Sequence, residues 1–78
     1  MNHKVTVYST NTCPYCHMAK DFLKENKVDF EDVNLSLQQD RIQEMIDVSG
    51  QTGVPVIRID EKVIIGFDRL GIKKALGM

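Results

Sequence analysis

Seventy-eight residues, 42% hydrophobic and 27% charged, suit one small globular domain, 1–78, near the size where a single core becomes marginal. Ten basic side chains against eleven acidic ones leave a formal net charge of -1, which argues against a nucleic-acid surface and its basic stripe. The longest apolar run, "VIIGF" from Val63 to Phe67, falls far short of the ~20 residues of a membrane span. The opening "MNHKVTVYST" lacks the charged-then-apolar layout of a signal peptide, so a cytoplasmic location is expected. Thiols are kept reduced there, which makes a lone cysteine pair a poor candidate for a structural staple.

Lys4 to Tyr8 ("KVTVY") alternates with β-branched residues and reads as a strand, followed by a polar loop. Pro14 suits the first position of a helix, where its missing N–H costs nothing. Cys16, Ala19, Phe22 and Leu23 then recur at helical spacing, toward an end near Asn26. Phe30 to Leu35 reads as a second strand. Ser36 and Gln39 form a capping box for a second helix, with Ile42, Met45 and Ile46 as its buried stripe and Gly50 as its stop.

A third strand runs from Val54 to Ile59 with a proline at its start, where a missing donor is tolerated. Asp60-Glu61 turns the chain into a hairpin partner, Lys62 to Ile65. Asp68 caps a last helix carrying Leu70, Ile72, Ala75 and Leu76, with Lys73 and Lys74 favourably placed near its C-terminus. The order is β-α-β-α-β-β-α. A βαβ crossover implies parallel strands and a two-residue turn implies an antiparallel pair, so the fold class is α/β with a mixed four-stranded sheet.

Both cysteines lie in "TNTCPYCHMAKDFL", residues 10–23. Cys13-Pro14-Tyr15-Cys16 has the spacing of a dithiol redox centre, yet with His17 it also spells C-x-x-C-H, a haem attachment signature. A strand leading straight into the motif does not suit small haem proteins, which wrap the group mostly in helices. Zinc is a further alternative, with two cysteines and two histidines, but His3 and His17 have no finger-like spacing from the pair.

The C-x-x-C on a helix start after strand one, with Val-Pro before strand three, resembles the thioredoxin fold. The Pro-Tyr dipeptide and the small size narrow the resemblance to the glutaredoxins. Its carriers are "VTVYSTNTCPYCHMAKDFLKE", "TGVPVIRID" and "IIGFD", which together span nearly the whole chain. The resemblance implies a thiol–disulfide oxidoreductase with no tightly bound cofactor, glutathione as co-substrate and a monomeric state. It also implies disulfide-bearing protein substrates and a cis peptide at Val54-Pro55. An iron–sulfur cluster completed by glutathione occurs in some members; Pro14 in the motif argues against it here.

The chain departs from many glutathione-binding members. Thr10 stands where they carry Lys, Gly53 where they carry Thr, and Gly66-Phe67-Asp68 where they carry a Gly-Gly run, a small residue and Asp. It is similar also to the short glutaredoxin-like redoxins, some of which draw electrons from thioredoxin reductase. The donor is therefore open between glutathione and that reductase.

The attacking species in disulfide exchange is a thiolate, and a free Cys has a pKa of about 8.5. Cys13 at a helix start meets free N–H groups and the helix dipole, so it is expected to be the exposed nucleophile. Cys16, one turn inside, is expected to be the buried resolving thiol. Tyr15 either fences the sulfur and packs on substrate or is an ordinary loop aromatic. His17 reads as a solvent-facing helix residue and Lys20 as either electrostatic support or a solvated side chain. The Val54 backbone and Pro55 are candidates to align an incoming disulfide by strand-like pairing. Phe67 and Asp68 complete the candidate set, Asp68 as a holder of a carboxylate at a helix start or as a cap alone.

Overall fold

The structure, a computed structural model, describes residues 3–77. In chain order it runs β1 (Val5–Ser9), α1 (Pro14–Glu25), β2 (Glu31–Asn34), α2 (Ile42–Ser49), β3 (Val56–Ile59), β4 (Lys62–Ile65) and α3 (Arg69–Leu76). The four strands form one sheet in the order β2-β1-β3-β4. β1 is parallel to β2 and antiparallel to β3, and β4 is antiparallel to β3. This is the mixed, thioredoxin-like sheet that the element order predicts.

Strand alternation decides the layering. Val5 and Val7 on β1 and Ile57 and Ile59 on β3 face one side, where Ala19, Phe22 and Leu23 of α1 and Ile72, Ala75 and Leu76 of α3 close the main core. Tyr8, Val33 and Val56 face the other side and meet Met45 of α2. The sheet is thus a wall with α1 and α3 on one face and the short α2 on the other. β1 lies inside the sheet and all five of its residues are buried. Its C-terminal end delivers the chain to the Cys13 loop.

The expected elements all exist, and the differences lie at their edges. The Ser36–Gln39 capping box does not form. Ser36 Oγ instead accepts the Asn11 N–H at 3.1 Å, tying the loop after β2 to the loop before α1. A 3-10 turn, Gln39–Arg41, leads into α2, whose N-cap, Arg41, makes no side-chain capping bond. Ile42 and Leu70 are exposed rather than buried; at 100° per residue Leu70 lies on the face of α3 opposite Ile72, Ala75 and Leu76. The third strand begins at Val56, since Pro55 has no N–H to give to a ladder. Gly50 ends α2 in the left-handed conformation, φ 74°, as a helix-stopping glycine does.

Two side-chain networks tie elements together along one side of the sheet, where Lys4, Tyr8, Glu31, Arg41, Glu44 and Asp60 line a common cavity. The Tyr8 hydroxyl donates to Glu44, Arg41 donates to Glu44 at 2.7 and 3.2 Å, and Arg41 also reaches Glu31 at 2.8 Å. Burial, together with the Glu44 carboxylate, pushes the Tyr8 phenol up to about 12. The Arg41 guanidinium and then the Tyr8 hydroxyl hold Glu44 below the usual carboxylate range. In the second network His3 Nδ1 lies 2.6 Å from Asp60 and the Lys4 N–H donates to Asp60 at 2.9 Å, which together lower that carboxyl.

These shifts make stability fall at both pH extremes. A lowered carboxylate contributes stability that is complete above its ordinary value near 4 and is lost as pH falls through the lowered one. A raised phenol contributes stability that is complete below about 10 and is lost as pH rises through its folded value. Thermal melts across pH are expected to show both limbs, with Glu44→Gln flattening the acid limb and Tyr8→Phe the alkaline one. Limbs of unchanged steepness in those variants would show that other groups govern the pH dependence.

Candidate active site

Cys13 has extended backbone angles, φ -112° and ψ 99°, and occupies the N-cap of α1, with Pro14 at the start of the helix. Its Sγ accepts the Cys16 N–H at 3.2 Å, and its carbonyl accepts the N–H groups of Cys16 and His17 at 3.2 and 3.3 Å. The two cysteines are joined as a disulfide with their Cα atoms 5.2 Å apart. In the reduced protein the same N–H and the helix dipole favour a thiolate on Cys13.

Cys16 is 0% exposed and Cys13 8%. The burial order is the expected one, but Cys13 is far less open than a freely exposed thiol. Its side chain turns back over the first helical turn to meet the Cys16 N–H, and only a narrow aspect of the residue reaches solvent.

Tyr15 stands clear of the protein at 62% exposure beside the motif, and His17 is exposed as expected. The Val54-Pro55 peptide is cis, as the resemblance implies. Thr10, Leu35, Gln39, Ile42, Thr52 and Val54 line a cavity of about 230 Å³, which joins the loop before the motif to the loop before Pro55. Leu35, Gln39 and Ile42 were read from sequence only as parts of a strand and a helix and Thr52 only within the "TGVPVIRID" stretch, so none of the four stood among the candidate site residues. The readable signal was Ile42, an apolar residue at the very start of α2.

Gly53 has a local explanation. Gln51 brackets it, accepting its N–H at 2.6 Å and donating to its carbonyl at 2.9 Å. A Cβ at position 53 would lie 2.8 Å from Gln51 Oε1, so a Thr there would displace that bracket.

Phe67 and Asp68 come next to one another at the start of α3 but face different tasks. The Phe67 ring packs edge-on against Phe22, centroids 6.0 Å apart, and the Arg69 guanidinium lies 5.4 Å above the same Phe22 ring. Phe67 is therefore anchored to the margin of the main core. Asp68 is exposed and caps α3, its Oδ1 accepting the Gly71 N–H at 3.0 Å.

Lys20 is not a solvated residue: it pairs with Asp32 at 3.0 Å with 12% of its side chain exposed. His3 precedes the start of β1 whereas the cysteines follow its end, so the strand separates His3 from the motif. Among the described residues no group of three or more His, Cys, Asp or Glu is placed to hold a metal ion. No described helix is long and apolar enough to cross a membrane.

The Glutaredoxin family model matches residues 5–64, which takes in the motif, the sheet and the Val54-Pro55 loop. The chain belongs to the glutaredoxin family. An uncharacterized glutaredoxin-like 8.6 kDa protein in a rubredoxin operon of Clostridium pasteurianum is 43% identical over 72 residues, 92% of this chain and 96% of that one. Glutaredoxin 3 of Escherichia coli K12 is 41% identical over 73 residues, 94% of this chain and 88% of its own. The glutaredoxin-like protein NrdH of Lactococcus lactis is 36% identical over 63 residues, 81% and 86% of the two chains. Among solved structures, methanoredoxin of Methanosarcina acetivorans superposes with a TM-score of 0.88 at 28% identity, covering 96% of this chain and 85% of its own. Similarity therefore runs to both named glutaredoxins and NrdH-type redoxins.

Proposed function

We propose that this glutaredoxin-family chain is a dithiol thiol–disulfide oxidoreductase that reduces protein disulfides and glutathione mixed disulfides through Cys13 and Cys16. The observation that carries the reading is the Cys13 sulfur on a helix N-cap, with the buried Cys16 within disulfide reach. Cys13 as thiolate attacks a substrate sulfur and expels the other as a thiolate, leaving a mixed disulfide on Cys13. Cys16 gives up its proton and attacks Cys13, which releases the second substrate thiol and closes the Cys13–Cys16 disulfide. Two electrons from a donor reopen it.

Tyr15 and the Val54 backbone flank the incoming sulfur, Pro55 keeps the loop close to the motif, and Phe67 and Asp68 border the far side. Their support is position: Tyr15 is exposed on the motif, and Val54 shares a cavity with Thr10. The Asp68 carboxylate is occupied as a cap, so a ligand carboxylate at this end would meet N–H groups of the first turn of α3 rather than the Asp68 side chain.

Glutathione is a weak donor in this reading, and a protein reductase of the thioredoxin reductase type is the alternative, acting in the cytoplasm on a monomer. Thr10 supports it, being uncharged where a cation would meet a glutathione carboxylate. NADPH oxidation coupled through glutathione reductase and glutathione, set beside the same assay with thioredoxin reductase, tests it. Measurable but slow glutathione-linked turnover is expected. Silence in both systems would refute the oxidoreductase reading.

A further inference from the structure

Opening the Cys13–Cys16 disulfide leaves an electron pair on a sulfur that water does not reach. When a donor thiolate attacks Cys13 Sγ, a new S–S bond forms there, the Cys13–Cys16 bond breaks, and Cys16 Sγ departs as a thiolate. A second donor thiolate then attacks the donor sulfur and releases Cys13. Two donor thiols become one disulfide, and the protein gains two electrons and two protons. Cys16 is 0% exposed, and an anion in such a place is disfavoured unless a charge or hydrogen bond compensates it. The helix dipole serves Cys13 at the N-cap better than Cys16 one turn inside, because its effect fades within the first turn.

Lys20 stands four residues beyond Cys16 on α1, the spacing that brings helix side chains to about 5–6 Å at Cβ. His17 and Lys24 on the same helix are exposed, as are Asp68 and Arg69 at the start of α3, where solvent screens them. Lys20 is the inward one, with its ammonium 3.0 Å from Asp32 Oδ1 on β2. The same oxygen accepts the hydroxyl of Ser9, a fully buried residue at the end of β1, at 3.3 Å. Asp32 itself is 47% exposed, so as a tether between α1 and β2 the ion pair contributes little.

We propose that Lys20, held by Asp32 and Ser9 beneath α1, is a positioning cation that stabilises the Cys16 thiolate formed each time the disulfide opens. The proposal rests on the reading of Cys13 as the attacked sulfur and Cys16 as the departing one. It gives a largely enclosed lysine on α1 a task in the exchange step and makes Asp32 its moderator. Removing Lys20 disfavours the thiolate; removing Asp32 frees the Lys20 charge and favours it.

The test follows the ultraviolet absorbance of the thiolate against pH in full-length Cys13→Ser, where Cys16 is the remaining thiol. Adding Lys20→Met is expected to cut the Cys16 thiolate fraction about tenfold at a given pH, the low end of what an opposite charge at 4–6 Å produces. Adding Asp32→Asn is expected to raise it, and Lys20→Arg to restore it. In the protein with both cysteines, Lys20→Met is expected to slow opening by dithiothreitol about threefold, because a leaving thiol of higher pKa leaves more slowly.

Lys20→Met and Asp32→Asn break the same ion pair. A purely structural tether would therefore lower both melting temperatures and leave the titration unmoved, or moved in one direction, and either result overturns the proposal. If Lys20→Met does not fold, the Asp32→Asn shift decides by its sign. Mass spectrometry of Cys16→Ser and Cys13→Ser after exposure to oxidised glutathione separates the two levels. An adduct on Cys16 alone overturns the underlying reading, whereas an adduct on Cys13 with an unmoved titration overturns only the role of Lys20.

Discussion

Cys13→Ser is expected to abolish disulfide reduction, while Cys16→Ser leaves a protein that still captures a mixed disulfide through Cys13. The asymmetry follows from two positions on one helix. Cys13 is the N-cap, where its sulfur already accepts the Cys16 N–H at 3.2 Å and the dipole favours negative charge. Cys16 is shut inside at 0% exposure and can reach a sulfur only when that sulfur is on Cys13. A hydroxyl in place of Cys13 is neither ionised near neutral pH nor able to form a disulfide, so no first step remains. Without Cys16 the first step survives and the intramolecular resolution does not. Cys16→Ser is thus expected to retain turnover on glutathionylated substrates, which a second glutathione can resolve, and to lose it on protein disulfides. Reduction of an unstrained protein disulfide by Cys16→Ser at the parent rate would sink the division of labour.

Thr10→Lys is expected to lower the KM for glutathione-linked turnover about tenfold, with turnover through thioredoxin reductase unchanged. Glutathione near neutral pH carries two carboxylates, and Thr10 lines the cavity that Val54 shares. A hydrogen bond from a charged donor contributes about 1.5–3 kcal/mol, or one to two decades of affinity. Thr10 is half-buried, so solvent screens part of that charge and the lower end of the range applies. The change is expected in KM rather than kcat, because a contact to a glutathione carboxylate holds the bound ligand and the exchanging sulfur alike. An unchanged KM would mean that the missing cation is not what limits glutathione binding. In that case Phe67 becomes the next position to change, at some cost in stability because its ring is anchored on Phe22.

Much of this protein was legible in its letters. The helix of Cys16, Ala19, Phe22 and Leu23 buries those four residues, since a 3.6-residue period leaves one face to the sheet whatever lies beneath it. The parallel first pair and the antiparallel last pair follow from connection lengths, a helix in one case and the two-residue turn at Asp60-Glu61 in the other. The Asp68 cap and the Gly50 stop are local chemistry, and local chemistry is written in consecutive residues.

Other features needed the folded chain. Ser36 had the spacing of a capping box, yet its hydroxyl is taken by Asn11, 25 residues away, and Arg41 is drawn into ion pairs with Glu31 and Glu44. Lys20 was undecidable on its helix because its partner is a side chain on a neighbouring strand, brought there by the parallel pairing of β1 with β2. The sequence by itself determined the element order, the mixed sheet and the two sulfurs on one helical turn, because these depend on period, turn length and spacing. Tertiary structure alone decided how deeply each sulfur is buried, what Phe67 leans on and which partner Lys20 takes. Those are contacts between segments distant in the chain, and no local pattern records them.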